Sequence, residues 1–522
     1  MTADSAYDRD GVSVPPSRLG EALRRQAASS PDHPALVDQG RSWSYRALFS
    51  AVDEARNWLA AKGVHAGDRV VVVNENCAAA VMLLLALTDM DAWPVPVVAR
   101  LSEREIAQVQ TLSDSRCVIY TIEASMQAKL HADRAGATHE EISGIGRIAL
   151  SAVNGAAHAM PVDPDPAKQV AILVSTSGST GRPKGVMLSH GNLLYIARVS
   201  AKLRQLGPAD RFYAVLPISS IVGFSVVVLG TLLSGGTVCL SSRFNPAQLA
   251  HALAEEGITV LLGVPAMYAL MAQYAETSGL TSLPCPCLRA MGSCGAPLDP
   301  VVKEAAERLF GLTLHNGYGL TECSPTVAQT RLKEPRRDCS VGPLFPGVEA
   351  RMVGKDGQKV RNGEVGELHV RSPGVMLGYF MAPEETARAI DGEGWLNTRD
   401  LARFEGGNLF IVGRTTELIV RFGFNVYPAE IEMVLNTHPM VARSAVIGQR
   451  IAGDEQILAF VKPRAESTLS IEDLASFAAG RLAPYKRPNQ IILMDELPET
   501  PLGKVRKAEL ARLQRTHEEL VG

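Results

Sequence analysis

The sequence predicts an α/β protein in at least two units. A large N-terminal domain of layered α/β subdomains passes into a β subdomain, and a small α+β domain closes the chain. Three observations predict this. The chain has 522 residues, more than one hydrophobic core usually organises. Short apolar runs with strand character alternate with helical patterns through its first part, the signature of layered sheets with parallel strands. After residue 340 the pattern becomes Gly-rich with alternating strands, and from about 417 a fresh α+β pattern of roughly 105 residues begins, enough for an independent domain. The expected division is 1–413 and 414–522.

In chain order, residues 1 to about 16 are polar, end in Pro15-Pro16 and read as a loose arm. A helix is expected around Leu19–Ala28. Residues 35–37 and 42–43 flank a Gln39-Gly40 turn and suggest a hairpin. Leu48, Val52, Ala55 and Leu59 recur at helical spacing within 45–62. An apolar strand at 69–73, a helix at 77–89 and a strand at 92–98 continue the alternation. A second α/β stretch begins near Ile172, with a helix at 192–203, a strand at 211–216, an apolar helix at 221–233 containing Gly223 and Gly230, and strands at 259–264 and 288–291. Strands at 367–371 and 409–412 belong to the β part. The last unit reads as helix 429–436, strands 441–447 and 456–462, helix 471–482 and strand 490–494.

Composition narrows the class. The chain is 46% hydrophobic and 20% charged, which is globular rather than disordered. A net charge of −3 carries no basic footprint for nucleic acid. Asp4, Asp8 and Asp10 stand where a signal peptide would be basic and apolar. The longest apolar stretches, 77–87 and 221–233, are too short for a transmembrane helix. Of eight cysteines only Cys285 and Cys287 lie close together, without histidine nearby, a weak metal pattern. Reduced thiols and a cytoplasmic location are expected.

The stretch from Ser175 to Gly185 organises the chemistry. It follows an apolar run, Val170 to Val174, and is rich in hydroxyls, with Gly178, Gly181 and Gly185 and the cation of Lys184. Glycines permit close backbone approach to a ligand, and successive N–H groups form an anion-binding nest. This is chemistry for a polyphosphate, set against the plainer reading of a Gly/Ser/Thr surface turn. It is not a Walker A loop, which needs glycine where Pro183 stands.

Residues 176–185 resemble throughout the phosphate loop of the adenylate-forming superfamily of acyl-CoA synthetases, adenylation domains and luciferases, and further motifs recur in that family's order as far as residue 504. The resemblance implies a mobile C-terminal domain and assigns nucleotide-binding roles to Thr176, Ser177, Gly178, Ser179, Thr180, Gly181 and Lys184. Residues 315–322 resemble its adenine and metal motif: Asn316, Gly317, Tyr318 and Gly319 would pack on the base, Thr321 would donate to the α-phosphate, and Glu322 is a hard oxygen ligand suited to Mg²⁺. Gly295, Ala296 and Pro297 lie in a segment that packs beside the nucleotide. There Cys294 replaces a small residue and reads as a wall rather than a nucleophile, since nothing adjacent in sequence would lower its pKa. Asp400 could accept from both ribose hydroxyls, with Arg399 in place of the family's glycine; Arg414 is the second ribose contact. Alone, these two read as a surface carboxylate and a rim arginine. Thr416 departs from the acidic or basic residue usual at the hinge. Gly423 would leave room for the pantetheine arm. Lys504 matches the catalytic lysine, placed to neutralise charge on the attacking carboxylate and the α-phosphate.

The resemblance therefore implies ATP-dependent activation of a carboxylic acid, through an acyl-adenylate, to its CoA thioester, with ATP and CoA as co-substrates and Mg²⁺ as cofactor. It puts Ser220, Ile221, Val222, Cys294 and Gly319 at the acyl pocket. Many relatives carry histidine where Ser220 stands, so serine suggests a wider cavity. No aspartate opens the pocket wall at 219–222 to fix an α-amino group. No Arg or Lys lies between 217 and 241 to pair a second carboxylate, and no tryptophan lies between Trp93 and Trp395 to close a pocket for acetate. An apolar monocarboxylic acid, medium-chain or aromatic, remains. Three alternatives stay open: loading of a carrier-protein phosphopantetheine, a luciferase-like oxidative use of the adenylate, and a non-catalytic nucleotide-binding regulator. Lys184, Glu322 and Lys504 argue against the last.

Overall fold

The computed structural model describes residues 17–177, 183–354, 356–421, 424–451, 454–464, 467–500, 503 and 505–521. The proposed arm at 1–16 lies outside them. The Gln39-Gly40 turn is formed by two residues with positive φ, 47° and 79°. Such a turn matches the twist of a hairpin, here Pro34–Asp38 with Arg41–Ser44. The next helix, Tyr45–Ala61, starts where the Ser44 hydroxyl accepts from Ala47 N–H, and it buries Leu48, Val52, Ala55 and Leu59. The helix Ala78–Asp89 is apolar on nearly every side because nearly every side is buried.

Two α/β sheets result. The first has five strands in the order Trp93–Val98, Arg69–Asn74, Cys117–Tyr120, Gly146–Leu150, Thr138–Ile142. Its last three strands and the helices Glu103–Ser113 and Met126–Arg134 fall in a span to which the sequence periodicity assigns no element. The second has eight strands, ordered Thr326–Gln329, Leu314–Gly319, Ala290–Ser293, Val260–Gly263, Arg211–Ala214, Thr237–Leu240, Pro34–Asp38, Arg41–Ser44. Its interior pairs are parallel and its two edge pairs antiparallel. In such a sheet ligands bind beyond the carboxyl ends of the strands, where residues 293–297 and 318–322 lie.

Strand Val170–Ser177 pairs antiparallel with Pro183–Ser189. The helix that follows is His190–Leu203, and it begins at a reciprocal cap: Asn192 N–H donates to Ser189 Oγ at 3.1 Å and Ser189 N–H to Asn192 Oδ1 at 2.9 Å. The apolar stretch at 221–233 is a π-helix over Val222–Leu229 and an α-helical turn over Gly230–Leu233. Gly223 is required there, because a Cβ would meet the Pro217 carbonyl oxygen at 2.2 Å.

A four-stranded antiparallel sheet follows, ordered Glu349–Val353, Gly366–Arg371, Leu396–Glu405, Asn408–Arg414. The C-terminal part has its own apolar cores, drawn from Ile419 onward. It comprises the short hairpin Ile419–Arg421 with Phe424–Val426 and the sheet Val441–Ile451, Asp454–Pro463, Gln490–Leu493, whose last pair is parallel. Helices Pro428–Asn436, Ile471–Ala479 and Lys507–Val521 complete it.

Candidate active site

Tyr318 stands near the end of strand Leu314–Gly319, and its hydroxyl donates to Asp400 Oδ2. The other carboxylate oxygen of Asp400 lies 2.9 Å from Arg414 Nε. Asp400 and Arg414 are paired residues of adjacent antiparallel strands, so the sheet register itself brings them together. Burial, and then the charge of Asp400, hold the Tyr318 phenol well above its ordinary pKa, so it is a neutral donor. Asp400 is 3% exposed. Arg399 has φ 58°, in the left-handed region, which is the physical reason a glycine suits this position. The turn tolerates arginine because Arg399 N–H donates to Asn397 Oδ1 at 2.8 Å and its carbonyl accepts from Thr415 Oγ1 at 2.9 Å.

The strand ends in a tight turn. Gly319 is required, since a Cβ would meet the Pro325 carbonyl oxygen at 2.1 Å. Thr321, Glu322 and Cys323 form one 3₁₀ turn. Glu322 accepts the Tyr379 hydroxyl at 2.9 Å. Lys184 lies over the Tyr379 ring, 4.8 Å from its centroid, and its ammonium is 2.5 Å from Glu385 Oε2. The Lys184 hydrogen bond holds the Glu385 carboxyl below its ordinary range. Tyr379 and Glu385 thus join Lys184 and Glu322 in one group. Sequence reasoning missed both, although Tyr379 pairs with Val186 of the phosphate-loop hairpin. Among the described residues no cluster of three or more His, Cys, Asp or Glu could hold a metal. The single carboxylate of Glu322 nevertheless fits Mg²⁺, which is commonly held by one or two carboxylates together with substrate phosphates.

Other predicted residues fall as follows. Thr176 pairs with Lys184 in the hairpin, and Ser177 with Pro183. Gly178, Ser179, Thr180 and Gly181 lie outside the described residues, as do Gly423 and Lys504. Gly503, beside Lys504 in sequence, sits against the large domain, where a Cβ on it would be 3.1 Å from that of Ala266. Ala266 follows shortly after strand Val260–Gly263. The Asn316 side chain is spent inside the fold, its amide donating to the Cys339 carbonyl at 3.0 Å. Gly295 makes a left-handed turn, φ 81°, with Ala296 half-buried and Pro297 exposed after it.

A cavity of about 70 Å³ has Gly317, Tyr318 and Gly319 in its lining. Val222, Cys294 and Gly319 line it; Ser220 and Ile221 do not. Instead, the Ser220 hydroxyl donates to the Pro217 carbonyl at 2.7 Å and accepts from Gly223 N–H at 3.3 Å, the geometry of a helix cap. Burial pushes the Cys294 thiol up to about 12, which suits a wall rather than a nucleophile. All eight cysteines are free thiols. Among the described residues no helix is long and apolar enough to cross a membrane.

Residues 23–380 match the model of the AMP-binding enzymes. The chain belongs to the AMP-binding enzyme family. Residues 430–504 match the C-terminal domain of the same AMP-binding enzymes. Among related members, a feruloyl-CoA synthase of Amycolatopsis sp. is 34% identical over 505 residues, covering 95% of this chain and 98% of that protein. An indoleacetate–CoA ligase of Aromatoleum aromaticum is 32% identical over 515 residues, with 95% and 98% covered. The ATP-bound structure of MatB from Rhodopseudomonas palustris superposes with a TM-score of 0.81 at 28% identity, covering 95% of this chain and 98% of that one. The large N-terminal and small C-terminal parts are those of the adenylate-forming enzymes, and this AMP-binding enzyme is an acid–thiol ligase of their AMP-forming class.

Proposed function

We propose that the protein converts an apolar monocarboxylic acid, aromatic in the reading favoured here, into its CoA thioester through an acyl-adenylate. The observation that carries the reading is the convergence at one sheet end. The Tyr318–Asp400–Arg414 group, the Lys184–Tyr379–Glu322 group and a cavity lined in part by Gly319 come together there. The related feruloyl-CoA and indoleacetate ligases support an aromatic acid over a medium-chain one.

Asp400 would hold the ribose hydroxyls, since a carboxylate offers about four acceptor sites and Tyr318 and Arg414 use two. Tyr318 would lie against the adenine, with Gly295, Ala296 and Pro297 beside it and Gly317 giving room. Thr321 would donate to the α-phosphate, and Thr176, Ser177 and the loop at 178–181 would cradle the β- and γ-phosphates. Glu322 would hold Mg²⁺, whose charge offsets that of the phosphates. The acid would enter the cavity past Gly319 with its carboxylate toward the α-phosphorus, and attack in line would release pyrophosphate. Positioning and charge neutralisation supply such catalysis. We assign the neutralising cation to Lys504, the sequence neighbour of Gly503, which lies beside Ala266 of the large domain. Rotation of a domain beginning at residue 414 would then withdraw Lys504 and admit CoA past Gly423. The CoA thiolate would attack the adenylate carbonyl and AMP would leave. With ATP and CoA as substrates, the reading carries a cytoplasmic location.

The test is a panel of carboxylic acids with purified protein, ATP, Mg²⁺ and CoA, scored for AMP and thioester. AMP and thioester in equal amounts from aromatic acids are expected. AMP without thioester would move the acceptor from CoA to a carrier protein. Neither product from any acid would overturn the proposal.

A further inference from the structure

Two kinds of tie flank the proposed hinge. Upstream, Thr415 Oγ1 donates to the Arg399 carbonyl at 2.9 Å, and the Arg414 guanidinium holds Asp400. Both partners lie in strand Leu396–Glu405 of the four-stranded sheet. Downstream, Glu417 Oε2 accepts from Lys507 Nζ at 2.8 Å. Thr415, Thr416 and Glu417 form one 3₁₀ turn. Only Thr416 therefore lies between a residue bound to the large domain and a residue bound to the C-terminal part.

Lys507 opens helix Lys507–Val521, shortly after Lys504 in sequence. Its ammonium has a second partner, Glu432 Oε1 at 2.7 Å, and the same oxygen accepts from Val446 N–H at 2.7 Å. One cation thus joins the turn after the hinge, helix Pro428–Asn436 and strand Val441–Ile451. Burial works against the Lys507 charge, but Glu432 and then Glu417 hold its ammonium above the ordinary lysine range. Burial likewise opposes the Arg414 charge, which Asp400 and then Glu417 favour. Charges therefore alternate through Asp400, Arg414, Glu417, Lys507 and Glu432, from the proposed ribose site to the base of the Lys504 loop. The segment on either side of Lys504 is tied to itself: Glu499 and Val505 form an antiparallel bridge, Gly503 N–H donates to the Thr500 carbonyl at 2.8 Å, and Arg506 N–H to the Pro498 carbonyl at 2.7 Å.

Stability alone does not account for this cation. The helix it opens is already seated by Leu510, fully buried in an apolar cluster with Ala445, Leu458, Phe460 and Leu497. Replacing a buried ionic group by apolar ones is often neutral for stability. What the ammonium adds is direction, since it binds two carboxylates from different elements at once. We propose that Lys507 is a positioning residue: by binding Glu417 it fixes the base of the Lys504 loop to the residue just past the pivot, so that the loop is presented in one orientation for adenylate formation and moves with the C-terminal part as one body. This rests on the acid-activating reading above, with Lys504 serving the first half-reaction.

Lys507→Met, Lys507→Arg and Glu417→Gln test it. With acid, ATP and Mg²⁺, Lys507→Met should slow pyrophosphate release by about tenfold, the scale of one charged hydrogen bond lost from the positioning of a reacting group. Thioester formation from supplied acyl-adenylate and CoA should stay near the wild-type rate, and Lys507→Arg should recover most of the first step. Glu417→Gln, an isosteric change, should show the same split, so misfolding of Lys507→Met does not shelter the proposal. The double variant should be no slower than Lys507→Met, because residues acting through one contact are not additive. Equal losses in both half-reactions, as from a residue that only holds the fold, overturn the proposal, and so does unchanged pyrophosphate release in Glu417→Gln. Amide hydrogen exchange of the protein without substrates separates this inference from the activity it rests on. In Glu417→Gln the Gly503 and Arg506 amides should exchange faster while strand Val441–Ile451 keeps its protection. That result keeps the anchoring even where no acid is activated, and unchanged exchange at Gly503 and Arg506 removes it.

Discussion

Asp400 Oδ1 and Arg414 Nε lie 2.9 Å apart, joined by directly paired residues of adjacent strands, and the last residue of that sheet is the first of the proposed moving domain. One carboxylate therefore ties the proposed nucleotide site, through Tyr318, to the segment from which the C-terminal part departs.

Asp400→Ala is expected to raise the KM for ATP at least tenfold and that for the acid little. Hydrogen bonds to a charged group are worth about 1.5–3 kcal/mol each, and removing the carboxylate also leaves Tyr318 without its acceptor. Steady-state kinetics with each substrate varied in turn reads this. A change confined to the acid would place Asp400 away from the ribose.

Lys504→Ala should slow acyl-adenylate formation by about 10²–10³, the usual loss for one preorganised charged contact, while thioester formation from supplied acyl-adenylate continues near the wild-type rate. Pyrophosphate release and thioester formation, assayed separately, distinguish the two half-reactions. Equal losses in both would remove the proposed division of labour.

Arg399→Gly should stabilise the protein. The left-handed conformation costs a side-chain-bearing residue roughly 1–2 kcal/mol, against about 0.5–1 kcal/mol of extra chain entropy lost by glycine. A net gain of about 0.5–1 kcal/mol is expected as a higher denaturation midpoint. No gain would mean that the left-handed turn costs arginine no more than glycine.

Ser220→Ala should cost about 1 kcal/mol, as loss of a helix-capping hydroxyl does, with the ranking of acids intact. Val226→Phe should instead disfavour the bulkiest acids, because Val226 lines the cavity and is 2% exposed. A ranking altered by Ser220→Ala would return that serine to the pocket.

His315 is held down to about 4, against an ordinary imidazole value of 6.5, chiefly by burial and then by Lys303 and Arg204. The unfolded chain takes up the proton first as pH falls. The stabilising contribution is thus full above about 6.5 and is lost progressively down to about 4. Denaturant midpoints from pH 7 to pH 4 should fall less steeply in His315→Asn than in the wild-type protein. Parallel curves would show that His315 is not a source of the acid lability.

The sequence by itself determined the fold class, the order of its parts and the kind of reaction. Runs such as Val170–Val174 and the spacing of Leu48, Val52, Ala55 and Leu59 act locally, and so do the turn demands of glycine and the hydroxyl-rich loop. Local physics is written at local spacing. The tertiary structure decided what depends on residues distant in the chain. It spent the Ser220 hydroxyl on Pro217 and Gly223, joined Tyr318 to Asp400 across a separation of 82 residues, and brought Tyr379 between Lys184 and Glu322. It also set Arg204, unremarkable at a helix end, into the wall of the cavity. Which side chains share a cavity follows from strand order and helix packing, and these are properties of the folded chain as a whole.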